Sequence, residues 1–184
     1  MFKPHYRICF VGFLLDFAVM VGITAIPFFL YQRLGGGAAM SGAFGAAHSA
    51  AYALCCVVSA GMVTRAKNGL NWAFLGVTVY TIGMGLMPFF NTPIPCLVMS
   101  SVAHGGLALA WPALHSWVGS DPDPAQRTRH MAWFNLSWSF GFAVSPLFAG
   151  PLFDADYRWP FVTLVLLCLV CLALIKSLPH EKSY

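Results

Sequence analysis

In a chain of 184 residues, 59% are hydrophobic and only 9% carry a charge, against about a quarter charged in an ordinary soluble domain. A water-soluble fold of this length has no means of covering so much apolar surface. The charges gather in short segments and leave apolar stretches of about 17 to 25 residues, the length that crosses a bilayer, so the formal net charge of +4 reads as a topology signal and calls for no nucleic-acid partner.

Backbone groups in lipid must be bonded within their own segment, so these stretches are helices and the fold class is an all-α membrane protein. Taken in chain order, hydropathy predicts six spans at about 8–31, 38–63, 70–90, 96–118, 131–153 and 159–175, forming one transmembrane domain over residues 1–184. The intervening segments carry Gly, Pro or charge, as turns do. With the N-terminus inside, Lys3, Arg7, Arg65, Lys67, Arg127, Arg129, Lys176 and Lys182 fall on the cytoplasmic side and only Arg33 and Arg158 outside. That bias places both termini in the cytoplasm and suits a bacterial-type inner (plasma) membrane. The first apolar run is too long for a secretory signal and lacks a small-residue cleavage site.

The first span holds Asp16, the one acid within any span. It lies roughly 12 Å in from residue 8 at 1.5 Å per residue, near mid-membrane, where ionisable groups are costly and face a bundle interior or a wet cavity. His48 on the second span and His104 on the fourth come out at a similar depth. Helical spacing then extends each into a stripe: His48, Tyr52, Cys55 and Ser59 on the second span, His104, Ala108, Trp111 and His115 on the fourth, Asn135, Trp138, Ser139, Phe142 and Pro146 on the fifth. These stripes predict a polar, aromatic-lined passage for substrate or protons through Asp16, His48, Tyr52, His104, Trp111, Asn135 and Trp138. The plainer alternative is that the same groups hydrogen-bond between packed helices and conduct nothing.

Small residues recur as well: Ala43, Ala47 and Ala51 in one register of the second span, and Gly45, Ser49 and Ala53 in another, predict close helix approach. Cys9, Cys55, Cys56, Cys96, Cys168 and Cys171 all fall in or beside the spans and are expected to act as small apolar residues without disulfides. Cys168-x-x-Cys171 has no acidic or His companion, so neither a metal site nor a cofactor is expected.

The run from Arg127 through Gly141, with Asn135 ahead of the glycine, followed by Gly141-x-x-x-Ser145-Pro146-x-x-Ala149-Gly150, resembles the fifth helix of the major facilitator superfamily of secondary transporters, whose G-x-x-x-G-P-x-x-G-G packing motif has two Gly replaced here by Ser and Ala. Gly150 to Asp154 and Arg158 to Phe161 are similar to that family's hairpin between helices five and six. Between the second and third spans the family carries G-x-x-x-D-R-x-G-R. Here Thr64 and Arg65 stand on the Asp-Arg pair and Lys67 follows, which keeps the basic character and loses the acid. On the fourth span His104 stands near a position where the family often has Arg.

The resemblance implies one six-helix half of such a transporter, built as a 3+3 inverted repeat, with the path between two halves. It implies a half-sized carrier of a small solute by alternating access, and the unpaired acid at mid-depth leads to the narrower expectation that protons are coupled through Asp16, alone or with His48 or His104. The second half is expected to be another copy of the chain in a homodimer, or a separate polypeptide, or the remainder of a longer chain. The start at Met and the hydrophilic tail fit an independent gene. The lipid bilayer and a small-molecule solute are the other expected partners, with no nucleic acid. With no Lys or Arg inside the spans, a cation or neutral organic molecule suits this half better than an anion. Two other readings compete: a non-transporting membrane scaffold or assembly factor that retains the fold, and an intramembrane enzyme using His48 and His104 as metal ligands with Asp16. The second is disfavoured because no His-x-x-x-His spacing occurs.

Overall fold

The computed structural model describes residues 3–65 and 68–179, without the side chains of Thr64 and Arg65. The basic loop of Thr64, Arg65 and Lys67 therefore lies outside what is described of side chains, and so does Lys182. The described elements are helical: α1 (Pro4–Leu34), α2 (Ala38–Arg65), α3 (Gly69–Leu86), a 3-10 turn (Met87–Phe89), α4 (Pro93–Val118), α5 (Pro124–Val144), α6 (Pro146–Ala155) and α7 (Trp159–Lys176). Six segments are long and apolar enough to cross a membrane, α5 and α6 together making the fifth. All but the third of the spans overrun the hydrophobic stretches, the fifth beginning at Pro124 rather than 131. Proline at N1, where its missing N–H costs nothing, and Asp123, whose carboxylate accepts from the Ala125 amide at 3.0 Å, start α5 in the aqueous boundary.

Apart from α3 and α4, consecutive spans scarcely meet in space. α1 packs on α5, α6 and α7, α4 packs on α2 and α3, and α3 joins the two groups through α7, whereas α1 and α2 scarcely meet. The α3–α4 seam is the tightest. A side chain at Gly76 would run into the Gly106 carbonyl, with the Ala110 amide at 2.8 Å, and one at Gly106 would meet the Gly76 carbonyl at 2.8 Å. Across α1 and α5, Gly141 lies against the Phe13 carbonyl and the Phe17 amide while Phe134 fills the space over Gly12. The close approach expected from Gly45 is not found: a side chain there would meet no neighbouring helix within 4 Å of its Cβ, and Ser49 and Ala53 are exposed on the same side of α2. The helix is small on nearly every side, so residue size did not mark which face packs; the face is set by Phe44, Ser59 and Val63, which are buried. Of the fifth-span motif, Gly141 and Ser145 are buried, whereas Gly150 has open space around it.

Several prolines lie inside spans, and at two of them, Pro146 and Pro112, a serine answers the carbonyl that the proline frees. Pro146 leaves the Phe142 carbonyl without its helical donor, and the Ser145 hydroxyl donates to it at 3.1 Å. Pro112 does the same to the Ala108 carbonyl. Here the donor comes from another helix, the buried Ser59 hydroxyl of α2, at 2.6 Å. Ser59→Ala is expected to lower stability in detergent by about 1 kcal/mol, between the usual membrane and aqueous figures for such bonds. In a Pro112→Ala background, where the backbone amide returns, the same change is expected to cost almost nothing. Equal costs in both backgrounds would refute the pairing.

The ends of the bundle are also fixed by contacts. His5 stacks on His130, the Arg7 guanidinium donates to the Ser177 carbonyl at 2.8 Å, and the Trp117 indole donates to the Pro179 carbonyl at 3.2 Å. The start of α1, the ends of α4 and α7 and the start of α5 thus share one end. At the other, Arg33 lies over the Tyr157 ring at 4.3 Å and Arg158 at 5.1 Å.

Candidate site: a cavity among four spans

Four of the spans converge on one cavity. Asp16 of α1, Tyr52 of α2, Trp111, Pro112 and His115 of α4 and Trp138 of α5 line a space of about 370 Å³. Neither α3 nor α7 contributes a lining residue. Asp16 is 8% exposed and its Oδ2 accepts no hydrogen bond among the described residues. A half-buried Trp pair, Trp111 and Trp138, with rings 6.3 Å apart at 63°, lines the same cavity, and the Trp138 indole donates to the Asn135 side chain at 3.1 Å. Phe134 steadies both Trp111 and His115 from beneath, edge-on to each ring. One acid facing aromatic walls suits a cation or a neutral amphiphile with a donor, because the ring faces attract positive charge.

His48 and His104 do not line this cavity. They stack on each other, centroids 4.1 Å apart and 14° from parallel, with Tyr80 edge-on to His104 at 5.7 Å. His104 Nδ1 lies 2.8 Å from the Ser100 carbonyl. A carbonyl only accepts, so Nδ1 carries the proton and Nε2 is left as a lone pair. That Nε2, His48 Nδ1 and the Ser100 hydroxyl are buried without hydrogen-bond partners among the described residues. Parallel rings aim their nitrogens side by side rather than at a shared point, which disfavours the pair as joint ligands of one metal. Among the described residues no cluster of three His, Cys, Asp or Glu side chains is disposed to hold a metal ion, and the six cysteines are free thiols.

The structure therefore brings Asp16, Tyr52, Trp111 and Trp138 together, puts Asn135 behind Trp138 as its hydrogen-bond acceptor, and sets His48 with His104 apart as a second polar cluster. The passage drawn from sequence omits two lining residues, Pro112 and the polar His115. The place of His115 one turn beyond Trp111 on the fourth-span stripe was the available signal. No curated protein matches the chain. The family model described as Major Facilitator Superfamily matches residues 8–183, and with six spans, four of which meet at one cavity, this chain belongs to the major facilitator superfamily of membrane transporters.

Proposed function

We propose that the chain is one half of a secondary transporter that moves a small cationic or neutral organic solute by alternating access, coupled to protons through Asp16, and that two copies pair to make the whole carrier. The observation that carries this reading is the cavity: its one acid and its aromatic wall come from four different spans, so relative movement of those spans changes the site directly. The packing supports the 3+3 repeat, because α1 meets α5 and α7 as α4 meets α2 and α3. Exchanging the first three spans for the last three leaves the contact pattern unchanged. Lys3, Arg7, Arg127, Arg129 and Lys176 at the end where α1 begins, against Arg33 and Arg158 at the other, support cytoplasmic termini in a bacterial-type inner membrane.

Pairing is supported by what the half leaves bare. Asn135 and Ser139 of α5 and Ser49 of α2 are exposed beside the cavity, and polar groups at membrane depth seek enclosure. α1 and α4 lie between α2 and α5, so a two-fold axis along the membrane normal through the cavity sets α2 of one copy against α5 of the other. A chain carrying both Ser49→Cys and Ser139→Cys is expected to crosslink to a second copy in native membranes, and either substitution alone to give far less. Capture of a different polypeptide instead would replace the homodimer by a heterodimer. Reconstituted vesicles that show no flux of any organic cation or neutral solute tested would favour the scaffold reading.

A further inference from the structure

A second concavity lies on the outer surface, between the starts of α1 and α5, with a volume of about 540 Å³. Its upper rim holds Arg129, which makes no salt bridge among the described residues, and the stacked rings of His5 and His130, 4.9 Å apart, the latter anchored to Asp121 at 3.3 Å. Tyr6 and Trp133 flank it, 60% and 56% exposed. One and two turns deeper into the membrane come Leu136 and Phe140, both exposed. The hydrophobic part of the fifth span begins at about residue 131, so the guanidinium sits at the edge of the hydrocarbon, the two amphipathic rings at headgroup level, and the apolar residues below.

We infer that this groove binds an anionic phospholipid, its phosphate at Arg129 and its acyl chain along Leu136 and Phe140. Charge and polarity both change in the order that such an amphiphile requires. The end of the bundle carries Lys3, Arg7, Arg127, Arg129 and Lys176 against Asp121 and Asp123 among the described residues, which favours a net negative headgroup over a zwitterionic one. A soluble phosphate ester has no use for the exposed apolar run beneath the cation. The inference is independent of the transport reading, since none of these residues lines the central cavity.

Native mass spectrometry of the protein in non-ionic detergent, titrated with palmitoyl-oleoyl phosphatidylglycerol or phosphatidylcholine, tests it. One phosphatidylglycerol is expected to be retained about fivefold more tightly than phosphatidylcholine, the worth of one basic residue near an anionic surface. Arg129→Gln is expected to remove that preference, and Arg127→Gln, exposed two residues earlier and not on the groove, to keep it. Equal losses from the two variants would mean diffuse attraction and overturn the site. Displacement by millimolar inorganic phosphate would overturn the lipid assignment, and so would disulfide-linked dimers of a Trp133→Cys variant, which would show the groove covered by a second copy.

Discussion

Asp16→Asn is expected to abolish proton-driven accumulation of solute in reconstituted vesicles while leaving solute exchange at equal pH measurable. The side chain keeps its shape and its place on the cavity wall, so binding and the rearrangement of spans persist. What disappears is the one titratable acid at that level of the bilayer. Folding is expected to be unharmed or improved, because a charged Asp at the centre of a span costs about 2.5 to 3.5 kcal/mol on insertion scales. Detergent stability and transport are therefore expected to move apart. Undiminished accumulation under a pH gradient would end the coupling proposal without touching the family assignment.

Gly76→Leu is expected to leave almost no monodisperse protein after extraction. The new side chain would meet backbone, the Gly106 carbonyl and the Ala110 amide, on the seam that holds α3 to α4. Backbone does not yield as a flexible side chain does, so the cost exceeds the about 1 to 3 kcal/mol of ordinary overpacking. Gly45→Leu is the matched comparison: the same substitution on another span, at a glycine where a side chain meets nothing in the single copy, is expected to leave the folding of each chain almost unchanged, though it lies on the face of α2 proposed to meet a second copy. Size-exclusion profiles and unfolding temperatures decide, and a Gly76→Leu protein as stable as Gly45→Leu would refute the tight seam.

Those two glycines also mark how far the sequence could be read. Hydropathy located six spans because crossing lipid constrains composition along the whole length of a segment. It left their rotation open, since helices apolar on every side carry no periodic mark of the packed face. Asp16 was legible as the lone acid, and Tyr52, Trp111 and Trp138 as polar-faced neighbours on helical stripes. The stacking of His48 on His104 was not: depth put them at one level, but only packing of α2 on α4 turned their rings together. Likewise the Ala108 carbonyl that Pro112 frees takes its donor, Ser59, from another span 49 residues away in sequence. Such long-range pairings are properties of the assembled bundle rather than of any segment.

The interleaved packing bears on how the protein is made. As the chain leaves the ribosome, α1 and α2 enter the bilayer with almost no surface in common, and α3 adds little to either. The first stable seam forms only when α4 arrives to receive both α2 and α3. α1 then waits longer, held in lipid or by the insertion machinery, until α5, α6 and α7 emerge to enclose it. Nascent chains halted after the third span are therefore open to proteolysis, those halted after the fourth are half protected, and resistance at α1 is gained last.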